Sequence, residues 1–128
     1  MRDPLRPTIA LAVIASLVLV VSPPAEAATH IQAIGVAFSP RSVTVQRGDV
    51  VKWLGVSGFH DVVAYGHDWS FSEQLPAGGR VKLRFRVVGV YRFRCTYHSS
   101  LIGGVCSGMC GTITVTARAA PSRIRAGS

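Results

Sequence analysis

From Arg80 to Val87 the chain alternates cation and hydrocarbon at every step, with Arg80, Lys82, Arg84 and Arg86 interleaved with Val81, Leu83, Phe85 and Val87. A period of two gathers the cations on one face of an extended strand and the apolar side chains on the other, whereas a helix would mix the two classes around its circumference. The pattern therefore demands a sheet with one wet face and one buried face. After Val88-Gly89-Val90 the alternation resumes, now with Tyr91, Phe93 and Cys95 set against Arg92 and Arg94. Parity turns Cys95 inward with the aromatic rings. The two runs are expected to be adjacent strands that share a cationic face.

Strand-like patterning extends over most of the remaining chain. Ile31, Ala33 and Gly35 to Phe38 lead to a turn at Ser39-Pro40, after which Val43 and Val45 alternate with Thr44 and Gln46. Arg47-Gly48-Asp49 marks another turn, and Val50, Val51, Trp53 and Leu54 form a buried run. A small-residue loop from Gly55 to Gly58 then delivers Phe59 and His60 to Val62 and Val63, which places His60 at the start of a short strand. Tyr65 to Gly79, polar and interrupted by Pro76, is expected to be a long surface loop. Thr112 to Thr116 alternates Thr with Ile113 and Val115 as a last strand. No helical period follows the N-terminal apolar run. About seven or eight short strands separated by turns predict an all-β fold, a Greek-key β-sandwich.

Three segments divide the 128 residues. Residues 1–27 have the form of a signal peptide: Arg2 and Arg6 precede an apolar run from Ile9 to Val21, and Ala25-Glu26-Ala27 supplies a small-x-small cleavage site. Residues 28–116 form the folded domain, enough for one modest core. Residues 117–128 are expected to be a basic disordered tail, because their apolar content is too low to pack. The expected location is therefore outside the cytoplasm, whether periplasmic, extracellular or at the cell envelope. Removing Arg2, Arg6, Asp3 and Glu26 with the leader leaves the net charge at +8. Such an excess favours an acidic partner protein or an anionic membrane or cell-wall surface. Basic and aromatic residues are not interleaved on one face, so no nucleic-acid role is expected, and a monomer is.

The stretch YRFRCTYHSSLIGGVCSGMCGTITV, from Tyr91 to Val115, sets a thiol, an imidazole and a thioether (Cys95, His98 and Met109) between two strands. These are soft or borderline donors suited to copper, and a type 1 copper site needs two imidazoles, a thiolate and a weak axial thioether. His60 is the candidate for the second imidazole. If Cys95 holds the metal, Cys106 and Cys110 are left to pair, as an oxidising compartment favours. His67, in a polar segment, is read as solvated. His30 would follow Ala28 and Thr29 at a new N-terminus after cleavage, and an amine, two amides and an imidazole there could make a second, square-planar Cu(II) site.

Three segments carry a resemblance to the cupredoxin family of plastocyanin, amicyanin and azurin: FSPRSVTVQRGDVVKW from Phe38, FHDVV from Phe59, and YRFRCTYH followed by GMCGTITV. The resemblance spans nearly all of the domain. It implies a β-sandwich binding one copper ion, with His60, Cys95 and His98 as strong ligands and Met109 as the axial one. It also implies one-electron transfer through the edge of His98. The chain departs from the family pattern in three ways. The interval from His98 to Met109 is long, Asp61 stands where Asn commonly follows the first His, and Cys106 and Cys110 are additional. A Cys106–Cys110 disulfide would shorten the interval, and the charge of Asp61 would favour Cu(II).

Cys106-Ser-Gly-Met-Cys110 also resembles the paired-thiolate loop of a binuclear copper centre, but Thr114 stands where that loop has His. The chain offers no paired carboxylates or second copper cluster, so no enzymatic activity is expected. The reading is an exported electron-transfer protein. The alternative is an envelope protein that stores or delivers copper at the same residues without redox turnover.

Overall fold

The computed structural model describes residues 4, 10–21 and 28–118. Of the expected signal peptide, residues 4 and 10–21 are neither helix nor strand; the remainder, with the cleavage site at Ala25–Ala27, lies outside the described residues, as do residues 119–128 of the expected tail. Among the described residues no helix is long and apolar enough to cross a membrane.

Among the described residues nine strands follow in order: β1 (Ala28–Ile34), β2 (Ala37–Ser39), β3 (Ser42–Gln46), β4 (Val50–Gly55), β5 (Phe59–Tyr65), β6 (Ser72–Pro76), β7 (Arg80–Arg84), β8 (Gly89–Ile102) and β9 (Val105–Thr116). They form a four-stranded sheet in the order β2-β1-β4-β7 and a five-stranded sheet in the order β3-β9-β8-β5-β6. Pairing is antiparallel except for β1 with β4 and β3 with β9. Parallel neighbours cannot be joined by a hairpin. The chain therefore crosses repeatedly between the sheets, and the all-β sandwich expected from the sequence is the fold.

Between the sheets, Trp53 and Phe93 meet edge to face at 5.4 Å, and Phe38 packs on Phe93 at 4.9 Å. Ile31, Val51, Val62, Leu75, Ile113 and Val115 fill the space around them. Gly111, opposite Phe93 on β9, leaves room for that ring, since a Cβ there would stand 2.2 Å from its Cζ. The period-two parity holds through Phe85 on the first run and through Cys95 on the second.

Four sequence expectations are corrected. Val87 does not continue the inward face; it is 66% exposed, because β7 ends at Arg84. The two cationic runs are not adjacent strands, since β7 edges one sheet and β8 lies within the other. The segment expected as a loop from Tyr65 to Gly79 contains β6, which pairs with β5 from Phe59↔Pro76 to Val63↔Ser72. One inward apolar residue, Leu75, secures this edge strand, and Pro76 is tolerated at its end, where the ladder needs no further donor. Finally, the interval from His98 to Met109 is a β-hairpin. Ser99↔Gly108, Ser100↔Ser107, Leu101↔Cys106 and Ile102↔Val105 pair around a turn at Gly103-Gly104. Both glycines have positive φ, 57° and 79°, as a two-residue hairpin turn requires.

Candidate metal centre

Three strands of the five-stranded sheet meet at one end of the sandwich. The ladder between β5 and β8 ends at Val63↔Arg94, and nearer that end the two strands separate. Asp61 bridges the gap. Its Oδ1 accepts the Thr96 N–H at 2.6 Å and its Oδ2 accepts the Thr96 hydroxyl, so a side chain replaces the backbone ladder there. His60 and Val62, on the opposite parity, point into the core, and His60 is fully buried.

The register of β8 against β9 shifts at the same level. Arg94 pairs with Cys110 and Ser99 with Gly108, so the four residues 95–98 stand against Met109 alone. A bulge re-aims side chains. This one turns both Cys95 and His98 toward His60. Ser99 fastens it, donating from Oγ to the Cys95 carbonyl at 2.5 Å and accepting from Arg94 Nη1 at 3.2 Å.

The Cys95 Sγ lies 3.4 Å from Nδ1 of His98 and 3.8 Å from Nδ1 of His60, and the three donor atoms all stand within 4.8 Å of one another. First-row ions such as zinc sit about 2.0–2.3 Å from imidazole nitrogen and thiolate sulfur, so donors around a three-coordinate ion stand about 3.5–4 Å apart. The spacings to sulfur agree with that requirement. Tautomer control agrees as well. The Nε2–H of His60 donates to the Ser57 carbonyl at 2.6 Å, which leaves the Nδ1 lone pair directed at Cys95. Ser57 is itself held, since its Oγ accepts the Gly35 N–H at 3.0 Å.

Burial pushes the Cys95 thiol above the usual range. The Asp61 carboxylate adds to this, against hydrogen bonds from the backbone at Asp61, Tyr97 and His98. A cation between the imidazoles would reverse that preference, because a metal takes the thiolate.

Met109 is 1% exposed and packs in the core cluster that includes Cys95. The long interval does not carry it away, because the hairpin returns the chain to the level it left. A disulfide joins Cys106 to Cys110, with Cα atoms 6.2 Å apart. Four steps of straight strand would cover about 13 Å, so the chain around Met109 is folded within the ring. Gly108 permits the fold: its φ is 100°, and a Cβ there would stand 2.5 Å from the His98 carbonyl oxygen. Closing these two thiols on each other leaves no thiolate pair for a binuclear centre.

His60, Cys95 and His98, singled out in the sequence, thus come together, with Met109 opposite the bulge that carries two of them. His30 does not join them. It lies on β1 beside Lys52, where Ala28 to Ala33 pair with β4. Sequence reasoning missed the roles of Ser57, Thr96 and Ser99, each of which makes a hydrogen bond with a backbone group at one of its ends. Gly103-Gly104 was the legible signal for the hairpin.

No protein-family model matches the chain. A plastocyanin of Scenedesmus fuscus is 30% identical over 89 residues, covering 61% of this chain and 85% of that protein. Among solved structures, a reduced amicyanin variant superposes with a TM-score of 0.57 at 21% identity, over 72% of this chain and 85% of that one. A copper-containing nitrite reductase from Thermus scotoductus SA-01 gives a TM-score of 0.61 at 23% identity, covering 93% of this chain but 28% of its own. The two superpositions share the fold, and the match to the larger protein is confined to a part of it.

Proposed function

The chain belongs to the plastocyanin-like cupredoxin family, and from that premise we propose that it is an exported, mononuclear type 1 copper protein that carries one electron between partners and catalyses no reaction of its own. The observation that carries the proposal is the convergence of two imidazole Nδ1 atoms on one buried thiol, with the tautomer of His60 fixed by Ser57. His60, Cys95, His98 and Met109 would hold the ion. Copper, when bound, supplies a one-electron couple between Cu(II) and Cu(I).

The protein's own part is to keep its donors still. His60 is anchored through Ser57, Cys95 is flanked by the bulge contacts of Asp61 and Ser99, and Met109 sits inside the disulfide ring. Donors held by backbone contacts change position little when the charge between them changes. His98 is the half-buried member of the set, and its edge offers the route to the surface. Phe59 and Tyr97, in edge contact at 5.1 Å and about half exposed, give this end apolar area against which a redox partner could seat. The overall excess of cations favours an acidic partner by long-range attraction. The leader-like residues 1–27 support export, and a monomer suffices for the site.

A visible and electron spin resonance spectrum of the copper-loaded protein tests the reading. The expected result is an intense absorption toward the red end of the visible range that a mild reductant bleaches reversibly. A colourless protein that holds Cu(I) and yields it to chelators would overturn electron transfer in favour of copper storage or delivery.

A further inference from the structure

The outer face of the four-stranded sheet carries charge of one sign. β2, β1, β4 and β7 contain no Asp or Glu. Along the ladder Lys52 stands directly opposite Lys82 on one side and beside His30 on the other. Arg80 and Arg84 flank Lys82 on the same face of β7, and Arg84 donates to the Gly48 carbonyl at 2.7 Å. Among the described residues Lys52, Arg80 and Lys82 meet no carboxylate. Two depressions on this face share Lys52 and Lys82, one continuing toward Arg84 and the other toward His30 and Arg80.

Like charges opposite one another on paired strands destabilise the pair. Cations on an edge strand have an ordinary use, since they discourage pairing with a second sheet. That use covers Arg80, Lys82 and Arg84, because β7 is an edge. It does not cover Lys52, whose strand β4 already has a neighbour on each side. Lys52, on an interior strand facing Lys82 and no carboxylate, leaves positive charge that an anionic ligand would neutralise.

We propose that this face binds a linear, phosphate-bearing polymer, laid along the two depressions with its anionic groups between Lys52, Lys82, Arg80 and His30. Charge complementarity selects a polyanion, and the shape of the face selects its kind. Among the described residues no Phe, Tyr or Trp projects there to anchor a folded acidic protein. The flanking Val50 and Leu54 are half-buried in concave surface, which a chain can enter and a flat bilayer cannot. Every donor of the metal centre belongs to the other sheet, on β5, β8 and β9, so a protein held by this face keeps its His98 end free for a partner.

Inorganic polyphosphate is the probe, titrated into the copper-loaded full-length protein at several salt concentrations. The expected result is binding that weakens about tenfold or more at near-physiological salt in Lys52→Gln/Lys82→Gln, with a log–log salt slope lower by about 0.7–0.9 for each cation removed. Arg41→Gln/Arg92→Gln changes net charge equally at exposed positions outside this face and should leave affinity within about threefold. The first variant should melt no lower than the parent, because it relieves a like-charge pair, and its visible spectrum should not change. Arg80→Gln, at an exposed edge position, provides an independent loss of slope. Equal weakening by both double variants, binding to vesicles of anionic phospholipid but not to polyphosphate, or preference for polyglutamate would each overturn the proposal.

Discussion

At the scale of the residue, the centre is made by side chains that substitute for backbone. Asp61 is buried where β5 and β8 part, and its two oxygens close on the N–H and hydroxyl of Thr96. Asn in its place would keep one acceptor for the N–H and remove the charge. Asp61→Asn is therefore expected to fold with the same spectrum and to raise the reduction potential, measured by redox titration, because a nearby negative charge favours Cu(II). Asp61→Ala should lower thermal stability as well, since it leaves the Thr96 N–H unpartnered, a loss of about 1–3 kcal/mol. Cys95 supplies a pH dependence. Its folded thiol titrates above the usual range, so in the metal-free protein the native state holds this proton where the unfolded chain has released it. The contribution to stability is thus complete below the usual thiol range and is lost as pH rises through the raised value. Denaturant titrations of the metal-free protein should show this decline, and Cys95→Ser should abolish it.

Among the elements, the β8–β9 hairpin separates what patterning can reveal from what it cannot. Alternation through Tyr91, Phe93 and Cys95 was legible and oriented the thiol correctly. The bulge was not, because a register shift is a relation between two strands, and the sequence of either one is silent about where the other runs out of step. The same reason hid β6, whose single inward side chain, Leu75, gives too little alternation to distinguish it from a loop. The disulfide ring is the element's own fastening. Replacing both Cys106 and Cys110 by Ser is expected to cost about 2 kcal/mol in unfolding free energy, the loop-closure value for a ring this small. The visible and spin resonance spectra should shift in parallel, because Met109 then loses the fold that seats it. Unchanged spectra in a destabilised variant would show that the core alone positions Met109.

For the whole molecule, the centre lies at one end of the core, which Cys95 and Met109 share, while the bulk of the core packs away from it. Trp53, Phe93, Phe38 and Ile31 lie between the sheets and need no ion to pack. Removing copper is therefore expected to leave the far-ultraviolet circular dichroism unchanged while lowering the melting temperature. With copper at about a hundred times its dissociation constant the linkage term is about 2.7 kcal/mol, which for a domain of this size corresponds to about 10–20 °C. A loss of strand signal on removal would mean instead that the ion is required for the fold.

The sequence by itself determined the all-β class and the inward parity of Cys95, and it offered the four candidate donors, because periodicity and ligand chemistry are properties of single residues and single strands. It also paired Cys106 with Cys110 once Cys95 was assigned elsewhere. The tertiary structure decided that the cationic runs lie on different sheets, that residues 95–98 bulge against Met109, and that Ser57 selects the tautomer of His60. Each of these depends on which distant backbone stands beside a residue. Such neighbours are chosen by packing two sheets around one core, and no local pattern encodes that choice.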